Sequence, residues 1–132
     1  MEYIKQLADI TYSDRNNCAL NAMAIVLNKP YYSVYQTFKD FGRVGGKGCS
    51  VRMITTVLNV LKYDHENKES LINKWQIPTK LKMSLAKFAK QYPKGKYYVI
   101  QSRHALALID GVWYDGKEPN PRSYVKWFFK VD

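Results

Sequence analysis

Asn17-Cys18-Ala19-Leu20-Asn21-Ala22-Met23-Ala24-Ile25-Val26-Leu27 reads as an apolar helix with a thiol in its first turn. Ala19, Met23, Val26 and Leu27 recur at helical spacing, and Leu20 and Ala24 widen the stripe, so the helix belongs in a core. The polar turn Ser13-Asp14-Arg15-Asn16-Asn17 leads into it, with Asn16 or Asn17 as cap, and Asn28-Lys29-Pro30 stops it. Cys18 then lies beside the unpaired backbone N–H groups of a helix start, a setting that favours thiolate. A cysteine there is usually structural. A catalytic one needs a base, which must come from elsewhere in the chain.

Upstream, Tyr3, Leu7 and Ile10 form one apolar face of a helical turn or an ordered arm. Downstream, Ser33-Val34-Tyr35-Gln36 reads as a capping box opening a second helix through Val34, Phe38 and Phe41. Ser50 caps a third, in which Val51, Ile54, Val57, Leu58 and Leu61 repeat at helical spacing. Residues 62–66 are an edge strand or an exit loop. In 67–80, Leu71, Ile72, Trp75 and Ile77 are expected to supply core contacts, with Pro78 interrupting regular structure. A fourth helix is expected over Lys82 to Gln91, anchored by Leu81, Leu85, Phe88, Ala89 and Tyr92 and closed by Pro93-Lys94-Gly95.

The final third changes period. Tyr97–Ile100, His104–Ile109 and Val112–Asp115 read as strands, and Asp110-Gly111 is a favoured two-residue hairpin turn. After a Pro/Asn-rich loop, Val125, Trp127, Phe129 and Val131 alternate with Tyr124, Lys126, Phe128 and Lys130, a last strand with one fully apolar side. Helices first and an antiparallel sheet afterwards describe a single α+β domain over residues 1–132.

The turn decides the chemistry. With Asp110-Gly111 as loop residues, Ile109 pairs with Val112 and Leu106 with Asp115. His104 and Asp115 then share a face and stand diagonally, their Cβ atoms roughly 7–8 Å apart. Asp110 lies roughly 20 Å along the strand from His104 and is a turn residue only. A slip of one residue would reverse the face of Asp115. Cys18 with His104 is therefore a candidate nucleophile and base, with Asp115 orienting the ring. The Cys18 backbone N–H is one oxyanion donor, and the side-chain amide of Asn16 or Asn17 another.

At 132 residues and 46% hydrophobic content, the chain supports one modest core. It shows no apolar signal segment and no membrane-spanning window, and its two cysteines point to a reducing, cytoplasmic setting without a disulfide framework. The net charge of +10 is concentrated late: residues 67–132 carry thirteen basic and five acidic side chains. Lys74 to Lys96 alone contains seven lysines and no acid, either a solvated face or a patch for an acidic protein, nucleic acid or anionic surface.

Rival chemistries fit less well. Gly42-Arg43-Val44-Gly45-Gly46-Lys47-Gly48 lacks the Ser or Thr that follows lysine in a phosphate-binding loop. Cys18, Cys49, His65 and His104 lack the close pairs of a zinc site, so no metal or cofactor is expected. Cys49 has no His-to-Asp segment of its own and reads as buried. Trp75, Trp113 and Trp127 read as core or cleft wall rather than stacking platforms. No recognition helix or aromatic sheet motif favours a nucleic-acid-binding domain.

Together, Asn17-Cys18-Ala19-Leu20-Asn21-Ala22-Met23-Ala24, the Gly42-Arg43…Gly48 segment and His104…Asp110-Gly111-Val112-Trp113-Tyr114-Asp115 resemble small papain-like cysteine peptidases. The likeness is to the peptidase C39-like proteins common in bacteriophages, over roughly residues 12–116. It implies a papain-like fold and a catalytic Cys18, His104 and Asp115 acting on a protein or peptide amide in the host-cell cytoplasm. Two departures stand out. Asn17 replaces the Asp that precedes Cys in many relatives, and no Gln closer than Gln6 stands for the family's oxyanion-hole glutamine, leaving Asn16 as substitute. The alternatives are a catalytically weak or inactive binding protein on the same scaffold that inhibits a host factor, or a basic nucleic-acid-binding domain.

Overall fold

Two consecutive residues with positive φ, Asp110 at 48° and Gly111 at 80°, reverse the chain in the computed structural model, which describes residues 1–7, 16–63 and 72–132. A turn of this twist suits the strands it joins, and it sets Ile109 opposite Val112, Leu108 opposite Trp113 and Ala107 opposite Tyr114. The hairpin lies inside a six-stranded open sheet of order β1-β5-β4-β3-β6-β2. The strands are β1 (Glu2–Lys5), β2 (Thr79–Ser84), β3 (Lys96–Ile100), β4 (Ala105–Ile109), β5 (Val112–Asp115) and β6 (Tyr124–Lys130). β1 runs parallel to β5, and every other neighbouring pair is antiparallel.

Helices α1 (Cys18–Leu27), α2 (Tyr31–Asp40) and α3 (Val51–Lys62) precede most of the sheet in sequence, and α4 (Leu85–Gln91) follows β2. The architecture is mixed α+β. Both faces of the sheet are covered. Leu20, Met23, Phe38 and Leu58 from α1–α3 pack with Tyr98, Ala107 and Phe129 in one cluster. Leu85 and Phe88 of α4 pack with Leu106, Leu108, Trp113 and Phe128 in the other. Each fully buried Leu or Phe contributes roughly 1.5–3 kcal/mol over exposure, so neither cluster is incidental.

The helix starts show how local chemistry sets boundaries. Ser50 Oγ accepts from the Met53 N–H at 3.1 Å, the cap expected for α3. α2 starts earlier than its Ser33…Gln36 pattern implies: Pro30, with φ of −59°, is the N-cap, and its carbonyl accepts from Ser33 and Val34 N–H. Gln36 bonds Asp40 instead of reaching back to a cap, and Phe41 lies exposed beyond the helix. α4 is shorter than expected because Thr79–Ser84 pairs with β6 as a strand; Ser84 then caps the helix through Lys87 N–H.

Other segments differ from expectation. Of the two readings of the N-terminal lead-in, the described part is an ordered arm, the strand β1, and not a helical turn. Phe128 is buried beneath α4 while Phe129 is buried on the other side, so β6 has apolar residues on both faces. Ile72, Trp75 and Ile77 are exposed rather than core residues. Their segment is held by polar bonds: the buried Asn59 side chain accepts from Gln76 N–H and donates to Gln76 C=O, both at 2.7 Å. The turn at Ser13–Arg15, Ile10, residues 64–66 with His65, and Leu71 lie outside the described residues. No helix among the described residues is long and apolar enough to cross a membrane.

Candidate active site

α1 delivers Cys18, the end of the turn before β4 delivers His104, and the last residue of β5 delivers Asp115. The β4–β5 register continues to place Asp115 opposite Leu106, two residues from His104, as the hairpin turn requires. His104 Nε2 lies 2.5 Å from Asp115 Oδ2, and the imidazole is one-quarter exposed while the carboxylate is almost fully buried. Asp115 Oδ1 accepts the Gly116 N–H at 2.7 Å, so both carboxylate oxygens are engaged. With Nε2 facing Asp115, Nδ1 is the ring nitrogen left for Cys18, which lines the same cleft.

The charges of this trio follow from its contacts. Burial pushes the Cys18 thiol up, but the hydrogen bond to His104, the Ala105 backbone N–H and the nearby imidazolium outweigh it and hold the thiol below its ordinary value. His104 is raised to about 9, first by its hydrogen bond to Asp115 and then by that to Cys18, against the opposing effect of burial. Both shifts act in the direction of a thiolate–imidazolium pair. Cys18 and His104 meet across a cleft of about 390 Å³ whose walls include Ala19, Cys49, Val51, Ile54 and Ile100.

Surrounding bonds hold the three residues in place. The buried Tyr98 O–H donates to Ala19 C=O at 2.9 Å, pinning the first turn of α1 to β3. Asn21 Nδ2 donates to Gln6 C=O at 3.0 Å, and Gln6 N–H donates to Asp115 C=O at 2.9 Å. The strand β1 therefore ties α1 to β5 just behind the site. Tyr3 O–H adds a 3.3 Å bond to the same Asp115 carbonyl.

The N-cap of α1 is Asn17, but its side chain makes no capping bond; Nδ2 donates to Tyr31 Oη at 3.3 Å. The first backbone N–H groups of α1, Cys18's among them, have no carbonyl four residues back to receive them. Asn16 adopts a left-handed φ of 54° at the rim of the Cys18 cleft, and its Nδ2 donates to Gly46 C=O at 2.9 Å. It braces the turn before the cysteine. The structure uses the glycine-rich loop for the same purpose: buried Arg43 donates through Nε to Lys47 C=O and through Nη2 to Asn16 C=O.

Cys49 is half-buried, lines the same cleft and packs against the α1–α3 cluster. Trp113 is fully buried under α4, Trp127 lines a separate groove, and Trp75 is 40% exposed and lines no described cleft, which corrects its assignment to core or cleft wall. Tyr98, Asn21 and Arg43 escape sequence reading because a single buried polar group has no periodicity. Only the strength of the apolar runs around them marks their neighbourhoods as interior. Comparison with protein-family models, curated proteins and solved structures finds no match to this chain.

Proposed function

We propose that this protein is a cysteine-type peptidase or amide hydrolase with a papain-like arrangement, Cys18 its nucleophile, His104 its acid–base group and Asp115 the residue that orients the ring. The supporting observation is the His104–Asp115 hydrogen bond with Cys18 beside the same imidazole in one cleft, the thiol at a helix start and its ionisation eased by its neighbours.

The thiolate Sγ attacks the amide carbon, and the carbonyl electrons move to oxygen. In this reading the Cys18 backbone N–H, beside the positive end of α1, donates to that oxyanion. Collapse of the tetrahedral species breaks the C–N bond, and His104 Nδ1–H protonates the leaving amine. Neutral His104 then takes a proton from water as it attacks the thioester. Acid leaves, and thiolate and imidazolium return. Atoms and charges balance with these side chains and water.

The test compares wild-type protein with Cys18→Ala on a whole-proteome peptide library, alongside labelling by an electrophilic cysteine probe. New peptide termini that appear only with wild type, and probe carried on Cys18, are the expected results. Cleavage that survives Cys18→Ala removes Cys18 as nucleophile. A biological effect that survives loss of Cys18, His104 and Asp115 together selects the alternative of a binding protein on this scaffold.

A further inference from the structure

A second concavity of about 960 Å³ opens beside the cleft that holds Cys18. Its boundary shares Gln101, Ser102, Arg103 and His104 with that cleft, but it does not reach Cys18. The far wall is made by β2 and β6. Lys80, Lys82, Arg103, Lys117 and Lys126 line the concavity as a whole, with no carboxylate among the described lining residues. Two of these cations are held over aromatic faces: Lys80 Nζ lies 5.7 Å from the Trp127 ring centre and Lys82 Nζ 5.4 Å from that of Tyr124. Such stacking leaves the ammonium N–H groups available to an anion. The floor is braced, since Gln101 Nε2 donates to Ser123 Oγ at 2.8 Å and to Tyr124 C=O at 3.2 Å.

Position gives the groove a direction. In an acyl transfer at Cys18, the acyl half of the substrate stays on sulfur, and the amine half must lie against the imidazole that protonates it. A groove that touches His104 and misses Cys18 receives the amine half. We infer that this protein selects peptides carrying acidic residues on the C-terminal side of the bond it cuts, bound in the Lys80–Lys82–Lys126 groove; this rests on the peptidase reading. Five cations in one concavity draw carboxylates together at long range and discriminate against basic sequences. The aromatic rings give the peptide's aliphatic stems an apolar surface to lie on.

Two measurements test this. Fluorescein-labelled hexaglutamate is titrated by anisotropy into Cys18→Ala protein, where no turnover is needed, and into the same protein carrying Lys80→Gln, Lys82→Gln and Lys126→Gln. Affinity should fall by at least about tenfold in the triple substitution and with added salt, and hexaglutamine should not bind. Equal binding to both proteins overturns the groove. Tighter binding of a single-stranded oligonucleotide of equal charge, lost in the same variant, overturns it in favour of nucleic acid. Circular dichroism and iodoacetamide alkylation of Cys18, in the triple variant retaining Cys18, check that fold and thiolate persist. In the peptide-library digest, Asp and Glu should be enriched after the cut with wild type and not with the triple variant. Enrichment before the cut, or none, overturns the direction. A library left uncut by wild type removes the peptidase reading and the direction with it, and anisotropy alone then decides the groove.

Discussion

His104 Nε2 and Asp115 Oδ2 stand 2.5 Å apart at the ends of two strands whose register is set at the opposite end of the hairpin by Asp110 and Gly111. The carboxylate uses its other oxygen for Gly116 N–H. An amide in its place has only one acceptor oxygen and must abandon one partner. Asp115→Asn should therefore keep the imidazole oriented, lose the Gly116 bond, and lower turnover by roughly tenfold. Asp115→Ala should cost roughly a hundredfold, toward the lower range for acid–base groups. His104, followed by NMR titration, should fall from about 9 toward its ordinary 6.5 in both. An unchanged titration would show that Asp115 does not hold the ring.

The pH behaviour follows from the two shifts. Cys18 is lowered, so thiolate appears at lower pH than for an ordinary thiol; His104 is raised, so the ring keeps its proton until about 9. Both forms coexist between those limits. Turnover should rise as Cys18 ionises and decline near pH 9 as His104 loses its proton. Limiting iodoacetamide, quantified peptide by peptide, should label Cys18 ahead of Cys49. His104→Ala should move the Cys18 inflection upward, cutting its rate about tenfold for each unit of rise. Preferential labelling of Cys49 would overturn the assignment.

Tyr98→Phe keeps the buried ring and deletes the bond to Ala19 C=O. About 1 kcal/mol of stability should be lost, or roughly 3–5 °C in Tm by thermal denaturation. Because this bond fixes the first turn of α1, Cys18 alkylation should slow as well. A melting temperature equal to wild type would show that packing alone seats the helix.

Asn59→Ala removes both bonds to the Gln76 backbone and strands its N–H and C=O. The expected loss is about 1–3 kcal/mol by urea unfolding, with little change in Cys18 reactivity, because the contact lies away from the cleft. Loss of thiol reactivity at unchanged stability would contradict that separation.

The hairpin and its His–Asp pairing were legible because one turn signal and period-two alternation determine which faces meet. α1 and α3 were legible from apolar stripes, and Ser50 from its position before one. The two strands that escaped notice, β1 and β2, are the two edges of the sheet. Edge strands bury little and carry charge; β2 alternates Lys80 and Lys82 with Leu81 and Met83, and its exposed lysines mask the period. Ile72, Trp75 and Ile77 misled because apolar character alone does not place a residue inside. The bracing by Asn16, Arg43, Asn21 and Tyr98 needed coordinates, since each bond joins segments distant in sequence.

β1 has a consequence for the order in which the protein comes into being. Tyr3 and Asp115 are bonded across 112 positions, and Tyr98 reaches back 79 positions to Ala19. A ribosome completes α1, thiol included, long before it reaches the hairpin. Until residues 104 and 105 emerge, Cys18 lacks both the His104 imidazole and the Ala105 N–H that lower it. Long-range pairings of this kind also slow folding, because distant segments must close before any contact rewards them. On the proposed reading of Cys18 as nucleophile, nascent chains crowded on one message are spared a reactive thiol through most of their synthesis.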